Sequence, residues 1–536
     1  MREAIELELF TNRFRGLVTE MGERLRRTAV SVNVKERMDF SCALLDARGH
    51  LVVNAPHIPV HLGSLGLCVR SVGEVLEWQP GDVALTNHPG YGGSHLPDVT
   101  VITPVFAGGP EMSDNDLLGF VANRAHHAEI GGTRPGSMPP DARSLAEEGV
   151  VFEPMYLARQ GSFEWERVRT RLAGDRYPSR AVEENLADIA AAVAANHRGA
   201  ESLVHLAGRF GIETVARFME TLGARAWDLA AAALARYGPG VFEAEQVLDD
   251  GSPLKVRIEI EDQVPVGGAL LQSTFVRIDF SGSASVHAGN LNATPGIVRS
   301  AVLYVLRLLI EESIPLNEGL LEGVVLEIPR GILNPEFGED PRLAPAVVGG
   351  NVETSQRLVD TLLKAFGAAA CSQGTMNNVL FGDDSFSYYE TVGGGCGAGP
   401  YGHGASGVHS HMTNTAITDP EVLETRYPVK LDRFSLRPGS GGRGLHRGGD
   451  GLIRELVFQR PLELSVLTQH RVAGPFGLEG GEAGAPGRQT LIRESGERVE
   501  MGSVDGCSVE SGDRLVLQTP GGGGWGKEKG GSGDPP

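Results

Sequence analysis

The chain has 536 residues and carries 48 Lys and Arg side chains against 68 Asp and Glu, a formal net charge of −20. This acidic balance argues against a nucleic-acid binder, because contacts with phosphates need a basic surface. The apolar share of 41% with 22% charged residues is typical of a globular rather than a disordered chain. No uncharged apolar run reaches the length of about 18 residues that indicates a membrane-spanning helix, so we expect no membrane partner.

The cysteines argue against two kinds of structural cross-link. Five are present, an odd number, and none forms a C-x-x-C pair, which disfavours both a disulfide framework and a thiolate zinc cluster. The N-terminus carries acidic residues where a signal peptide needs a basic and then an apolar segment. We therefore expect a cytoplasmic protein.

Hydrophobic periodicity predicts an N-terminal helix followed by short strands. An apolar stripe recurs at steps of three and four through Phe10, Phe14, Leu17, Met21 and Leu25. After it the period changes, and short strands are predicted at 39–45, 50–54, 82–87, 99–106 and 117–123.

The rest of the chain is predicted as a long helical segment followed by mixed elements. Residues 180–237 are helical, strands follow at 254–260 and 270–280, and helices follow at 295–312 and 353–368. From about 385 onward the chain is mostly strand and glycine turn. The fold class is thus α+β and multi-domain, with mixed sheets and a β-rich, glycine-rich C-terminal part.

These elements suggest three domains and a tail. We expect a metal-site domain with the helical segment at 1–240, a central α+β domain at 241–420 and a β-rich domain at 421–526. Residues 527–536 are predicted to be a disordered tail.

Glycine is the outlier of the composition. The chain has 73 glycines, about twice the average share. They cluster at 393–407, 439–451, 477–487 and 521–533. The first three clusters lie between strand-like segments, so we interpret them as ordered turns, and the last as part of the frayed tail.

Histidine placement is the most informative local feature. Six of the 15 histidines fall within residues 57–127, including His95, three residues before Asp98, and the pair His126-His127. Imidazole and carboxylate ligands together suit Zn, Mn or Fe. Two histidines with one or two carboxylates leave coordination positions open, as in a catalytic metal site. The alternative is that these histidines hydrogen-bond backbone groups in a polar loop layer, since H-x-x-D is a short and common pattern.

Other motifs are weaker. The chain contains no G-x-x-x-x-G-K-[ST] phosphate loop, and its two G-x-G-x-x-G matches do not lie between a strand and a helix of a βαβ unit. Cys396 could be a nucleophile if one of His403, His409 and His411 acted as its base. The alternative is a small cysteine in a crowded turn.

Several segments together resemble one known family, the hydantoinase B/5-oxoprolinase type, which also includes the α subunits of acetone and acetophenone carboxylases. The matching segments are 36–42 (ERMDFSC), 57–64 (HIPVHLGS), 92–100 (GGSHLPDVT), 122–132 (ANRAHHAEIGG), 135–139 (PGSMP), 349–357 (GGNVETSQR), 389–399 (YETVGGGCGAG), 409–415 (HSHMTNT) and 424–429 (ETRYPV). The resemblance covers essentially the whole chain.

The resemblance implies one half of a two-component, ATP-dependent enzyme that acts on cyclic amides such as 5-oxoproline or hydantoins. Its partner would be a hydantoinase A-type subunit that binds ATP, which makes the assembly a hetero-oligomer. The divalent metal (Mn, Fe or Zn) of similar subunits is held at the positions of His95, Asp98 and His126, with Asp39 as a fourth ligand. A metal-bound water would then attack the ATP-activated ring. From their density of motifs, segments 393–399 and 409–415 are expected to line the cavity or the channel from the ATP-binding half.

Some roles stay open at this stage. His127 is a candidate for proton transfer or, equally, for orienting His126. The chain has His88 where many relatives have Asp, which could tune the site or be a neutral surface change. The chain could instead be the α subunit of a ketone carboxylase, although those relatives tend to be longer, or a non-catalytic scaffold for an ATP-hydrolysing partner.

Overall fold

A computed structural model of the chain describes residues 2–54, 58–107, 117–261 and 276–528. Within these ranges the chain forms four sheets of seven, four, four and five strands, with helices packed on and between them. The predicted α+β class with mixed sheets is thereby confirmed. None of the helices in the described ranges combines the length and the hydropathy needed to cross a bilayer. The division at residues 240 and 420 stays a prediction, and the predicted tail lies outside the described residues from 529 onward.

The elements of the described ranges are these. The helices are α1 (Arg2–Thr28), α2 (Val32–Lys35), α3 (Leu62–Gly73), α4 (Leu145–Glu148), α5 (Trp165–Gly174), α6 (Val182–Phe210), α7 (Ile212–Ala235), α8 (Pro295–Leu308), α9 (Ser355–Ala365) and α10 (Pro420–Arg426). The strands are β1 (Phe40–Leu45), β2 (Leu51–Asn54), β3 (Val83–Thr86), β4 (Asp98–Phe106), β5 (Leu117–His126), β6 (Met155–Arg159), β7 (Ser162–Phe163), β8 (Gly240–Val247), β9 (Pro253–Ile260), β10 (Val276–Asp279), β11 (Val324–Glu327), β12 (Asn378–Asp383), β13 (Phe386–Glu390), β14 (Val429–Arg437), β15 (Gly451–Phe458), β16 (Leu462–Leu467), β17 (Arg488–Ile492), β18 (Arg498–Glu500), β19 (Val504–Val509) and β20 (Arg514–Gln518).

The first sheet has the order β2-β1-β5-β4-β3-β6-β7, and all its neighbours run antiparallel. The strands predicted in the first 123 residues are confirmed. Successive side chains of a strand point to opposite faces, and both faces of β1 are buried. This sheet therefore needs a cover on each side.

Helices α1, α3 and α6 supply that cover. The predicted stripe of α1 is entirely buried and packs with α6, where Gly199 lets the helices approach closely. A Cβ on Gly199 would lie 2.4 Å from Met21 Sδ. On the other face Leu65, Val69 and Val72 of α3 pack with Ala43 and other inner residues of the sheet. The sheet is thus a middle layer between helices, and the predicted helical segment 180–237 is confirmed as α6 and α7.

The second sheet, in the order β11-β10-β9-β8, packs against α9, and α8 packs on α9 in the same hydrophobic cluster. Thr294 caps the N-terminus of helix α8, because its Oγ1 accepts a hydrogen bond from the N–H of Ile297. Pro295 is the first residue of the helix, a position that proline favours. It ends at Leu308, four residues before the predicted end. Of the predicted strand 270–280, residues 270–275 lie outside the described residues, and the remainder contains β10.

The third and fourth sheets confirm the β-rich C-terminal part. The third has the order β13-β12-β16-β19 and joins two strands from before residue 420 with two from after it. The fourth has the order β14-β15-β20-β17-β18.

The glycine clusters do more than turn the chain. Segments of all four clusters lie backbone against backbone and exchange hydrogen bonds, as from Gly449 N to Cys396 O (2.9 Å) and from Gly442 N to Gly522 O (2.8 Å). A Cβ on Gly522 would lie 1.9 Å from Cys396 O, closer than any side chain tolerates. Glycine is required here because the backbones touch, and residues 521–526 belong to this packed core rather than to a frayed tail.

This packing predicts a sharp contrast between two glycines. We expect Gly522→Ala to lower the thermal unfolding midpoint by several degrees or to abolish soluble expression, because overpacking costs about 1–3 kcal/mol or more. Gly402→Ala is the matched control, since a Cβ there meets nothing within 4 Å, and its midpoint should stay close to that of the unchanged protein. Equal midpoints for the two variants would contradict the backbone-packing explanation.

Candidate metal centre

Two neighbouring strands of the first sheet bring the predicted ligands together. Asp98 is the first residue of β4 and His126 the last of β5, and the antiparallel register places them directly opposite each other. His95 precedes β4 in a tight turn, in which Asp98 N donates to His95 O at 3.1 Å. A local turn and one strand pairing therefore collect three side chains at one end of the sheet.

The three side chains converge on one point. His95 Nε2, His126 Nδ1 and Asp98 Oδ1 are each 3.2 Å from the other two. Atoms that share one ion at about 2.0–2.2 Å in a tetrahedral arrangement stand about 3.3–3.6 Å apart. The triangle is thus close to the size that the ligand set of a single ion requires.

Hydrogen bonding explains this triangle poorly. All three side chains are buried, and Asp98 Oδ1 has no hydrogen-bond partner among the described residues. A buried acceptor left without a partner costs free energy. A cation at the centre of the triangle would satisfy it, so the residues present fit a divalent ion.

The electrostatics also favour a charged carboxylate. Burial by itself raises the pKa of Asp98, but the electrostatic effects of the neighbouring His95 and His61 rings and the contact of His61 with Oδ2 outweigh it and hold the pKa well below its usual range. Burial lowers the pKa of His95, against the pull of Asp98. An anionic carboxylate and neutral imidazoles are the protonation states that ligate metals.

Asp39, the fourth predicted ligand, lies beside this group. It immediately precedes β1, which pairs with β5, and its carbonyl oxygen accepts a hydrogen bond from His126 N at 2.9 Å. Its side chain lines the same cavity as Asp98 and His126. Among the described residues, however, the group whose ligand atoms all lie within 4.8 Å of one another consists of His95, Asp98 and His126.

His61 is a functional neighbour that the sequence reasoning did not select. Its Nε2 lies 3.1 Å from Asp98 Oδ2, and its Nδ1 lies 3.0 Å from Ser41 Oγ. Ser94 Oγ also donates to Asp98 Oδ2. These contacts engage one carboxylate oxygen and leave the other facing the triangle. The only sequence signal was the position of His61 in segment 57–64, without any indication that it meets Asp98.

His127 points away from the triangle, into the helical cover. Its Nδ1 accepts a hydrogen bond from Asn185 Nδ2 of α6 at 3.0 Å, and its backbone N–H donates to Pro97 O at 2.8 Å. Burial, above all, lowers its pKa to about 4. His127 is not among the described residues that line the cavity. These contacts favour a supporting role for His127 over proton transfer.

A small cavity of about 10 Å³ opens beside the triangle, which is room for about one water molecule. One wall comes from the first sheet and its loops, and the other from segments near 351, 376, 389 and 412. The lining residues are Asp39, Ile58, Val60, His61, Asp98, His126, Asn351, Val352, Met376, Tyr389, Met412 and Thr413. The expectation for segment 409–415 agrees with this lining, whereas 393–399 supplies no residue to it in the described part of the chain.

Arg37 joins the two walls. Its fully buried guanidinium donates to Tyr389 O at 2.7 Å, to Thr391 Oγ1 at 3.1 Å and to Thr415 Oγ1 at 3.2 Å. It also lies 4.7 Å from the centre of the Tyr389 ring and 3.9 Å from Asp39 Oδ2. The Tyr389 ring in turn stacks on His126. Arg37 thus holds the second wall in place against the metal-ligand side.

Cys396 lacks the surroundings of a nucleophile. Burial raises its pKa to about 11, which keeps the thiol protonated at neutral pH. The three histidines near it in sequence have other partners: His403 Nδ1 accepts from Arg447 N, His409 Nε2 lies 3.4 Å from Thr391 Oγ1, and His411 Nε2 lies 3.0 Å from Asp360 Oδ1.

His88 is buried in a turn rather than placed at the surface. Its Nδ1 accepts from Gly90 N at 3.0 Å, and its Nε2 lies 3.3 Å from Glu153. It does not line the cavity within the described residues. His88 therefore supports the turn before His95.

The chain is similar to known proteins over nearly its whole length. A family model described as hydantoinase B/oxoprolinase matches residues 3–528. The chain is 44% identical to 5-oxoprolinase 1 of Arabidopsis thaliana over 553 residues, covering 98% of this chain but 42% of that protein. The chain thus spans about two fifths of the length of that relative.

Two solved structures share the fold. An ATP-dependent caprolactamase from Pseudomonas jessenii matches with a TM-score of 0.86 and 25% identity, over 98% of this chain and 91% of that one. A nucleotide-free acetone carboxylase matches with a TM-score of 0.83 and 18% identity, over 98% of this chain and 76% of that one.

The triangle predicts specific metal retention. We expect the purified chain to hold about one zinc, manganese or iron ion, and His126→Ala to bind it at least about a hundredfold more weakly. His287→Ala is the matched control, because His287 also pairs with a carboxylate, Asp250, at 2.8 Å, but outside the cavity. Elemental analysis after dialysis checks this, and equal retention by both variants would contradict the assignment.

The contact between His61 and Asp98 predicts a smaller effect. His61→Ala should keep the ion but bind it about 10–100-fold more weakly, since partners that orient a ligand have effects of this size. Competition with a chromophoric chelator measures the affinity. An affinity unchanged from that of the unmodified chain would show that Ser94 alone orients the carboxylate.

Proposed function

The chain belongs to the hydantoinase B/oxoprolinase family, and we propose that it is the metal-dependent half of an ATP-dependent enzyme that hydrolyses a cyclic amide of the 5-oxoproline or hydantoin type. The observation that carries this proposal is the triangle of His95, Asp98 and His126 facing a small cavity. The names of the relatives supply the class of substrate.

The difficulty of the reaction explains the need for two components. Resonance makes an unstrained amide a poor electrophile, and its nitrogen is a poor leaving group. Transfer of a phosphoryl group from ATP to the amide oxygen would create a better leaving group. The sequence has no phosphate loop, and the chain covers 42% of the 5-oxoprolinase relative. An ATP-binding partner of the hydantoinase A type would supply this step.

This chain would hold the ion through His95, Asp98 and His126, with Asp39 as a further ligand. The nitrogen and oxygen donors suit Zn, Mn or Fe. When bound, such an ion supplies hydroxide at neutral pH, because it lowers the pKa of water to about 7. His61 and Ser94 hold Asp98 in the orientation that keeps Oδ1 directed at the triangle.

The rest of the cavity lining is largely apolar. Ile58, Val60, Val352, Met376 and Met412 form an apolar surface against which the methylenes of a ring would pack. Its limited size and burial exclude bulk water, which strengthens electrostatic interactions inside. Phosphoryl activation in the partner followed by hydrolysis in this cavity is consistent with both features.

The test is substrate-dependent ATP hydrolysis by the chain co-produced with its ATP-binding partner. We expect ADP release with 5-oxoproline, a hydantoin or another lactam, and a loss of more than about a hundredfold in His126→Ala. The His287→Ala control should retain activity. Turnover only with acetone and bicarbonate would instead identify a carboxylase, and ATP hydrolysis that is unaffected in His126→Ala would identify a scaffold.

A further inference from the structure

His126 lacks the hydrogen bond that usually orients a metal-binding imidazole. Its Nδ1 faces the triangle, 3.2 Å from Asp98 Oδ1, whereas its Nε2 is buried and has no hydrogen-bond partner among the described residues. A ligating histidine nearly always donates its second ring N–H to a carboxylate, a carbonyl or a water, which fixes the direction of the ring. Within the described part of the chain, the direction of this ring is therefore set by packing.

The Tyr389 ring supplies that packing. It stacks on the His126 ring, with the two ring centres 4.6 Å apart and the planes inclined by 21°. Stacking of aromatic rings at this separation is favourable. The His95 ring also lies close, at 5.0 Å, but it is itself a proposed ligand. Rotation of the His126 ring about its Cβ–Cγ bond would move Nδ1 out of the triangle, and the stacked tyrosine opposes that rotation.

The phenol of Tyr389 is fixed at its far end. Tyr389 Oη donates a hydrogen bond to Asn378 Oδ1 at 3.0 Å. Asn378 Nδ2 donates to Glu353 Oε1 at 2.7 Å and to Leu467 O at 2.6 Å. Because both protons of Nδ2 are donated to acceptors, Oδ1 is the atom of the carboxamide that faces the tyrosine. The tyrosine side chain is therefore held at its hydroxyl group as well as at its backbone.

The supports of Tyr389 come from separate parts of the chain. Glu353 lies in a π-helical turn, Gly350–Thr354, directly before α9, a geometry that often occurs at functional sites. Arg37 donates to Tyr389 O at 2.7 Å, and its guanidinium lies 4.7 Å from the centre of the ring. Glu353, Asn378 and Tyr389 thus form a connected series of buried side chains that ends on a proposed ligand.

We propose that Tyr389 is a positioning residue for His126, and that its ring takes the place of the hydrogen bond that orients other metal-binding histidines. This rests on the metal centre of the proposed function. The stack sets the direction of His126 Nδ1, and the hydrogen bond to Asn378 sets the direction of the stacked ring. Loss of the hydroxyl group loosens the tyrosine ring, and loss of the ring frees His126 to turn out of the triangle.

Cobalt binding to the full chain tests this without ATP or the partner. Co²⁺ is the probe, because nitrogen and oxygen donors bind it and its visible absorption reports the geometry of its ligands. We expect Tyr389→Leu to bind Co²⁺ about 10–100-fold more weakly than the unmodified chain and to shift the absorption band, since removal of a group that orients a ligand has effects of this size. Tyr389→Phe keeps the ring but lacks the hydroxyl group, so its affinity should lie between those two.

Tyr388→Phe is the matched control. Tyr388 precedes Tyr389 in β13 and is also buried, its Oη donates to Glu390 Oε1 at 2.9 Å, and its ring stacks on Phe381 rather than on His126. Both phenylalanine variants lose one buried hydrogen bond, so their thermal unfolding midpoints should fall to a similar extent. The Co²⁺ affinity and spectrum of Tyr388→Phe should nevertheless equal those of the unmodified chain.

The outcomes separate this role from the metal centre itself. Unchanged affinity and spectrum in a folded Tyr389→Leu variant would overturn the assignment of Tyr389 and leave the metal centre standing. Where Tyr389→Leu does not fold, the two phenylalanine variants decide, and equal Co²⁺ affinities in Tyr388→Phe and Tyr389→Phe would overturn the assignment. Failure of the unmodified chain to bind Co²⁺ would contradict the metal centre and, with it, both proposals.

Discussion

The antiparallel pairing of β4 with β5 is the constraint on which the candidate centre depends. It sets Asp98 against His126 by register, and a strand slip of one residue would turn either side chain to the opposite face. The pairing is itself held by the helical layers that bury both faces of the sheet. The positions of the three ligand atoms therefore depend on the N-terminal sheet and the helices that cover it, and not on the H-x-x-D turn alone.

Close backbone packing is a different kind of contact in this protein. Glycines bring backbone segments far apart in sequence to van der Waals distance, both in the packed clusters around Gly522 and where Gly350 meets Asn292. Such contacts leave no room for side chains, and hydrogen bonds between backbone N–H and C=O groups hold the glycine clusters together.

Much of this arrangement could be predicted from the sequence, because it rests on local signals. The stripe of α1, the strands before residue 123 and the spacing of His95 and Asp98 are all short-range patterns. The contact of His61 with Asp98 could not be predicted, since 37 positions separate them in sequence. Hydrophobic periodicity does not relate the turn that contains His61 to the first residue of β4. The sequence predicts the first three glycine clusters as ordered turns, but it does not predict which backbone segments they pack against, because composition carries no information on tertiary contacts.

The same limit applies to the cavity. Its second wall comes from residues more than two hundred positions beyond the ligands, and the π turn at Gly350–Thr354 interrupts a pattern that reads as the start of a helix. Contacts at such sequence separation follow from tertiary packing, which single-sequence patterns do not encode.

The buried guanidinium of Arg37 makes the two walls of the cavity interdependent. It contacts residues that are 352 and 378 positions away in sequence. A fragment that ends before residue 351 would contain every proposed ligand but none of the residues that form the second wall. Enclosure of the proposed centre is thus a property of the tertiary fold and not of the segment that carries its ligands.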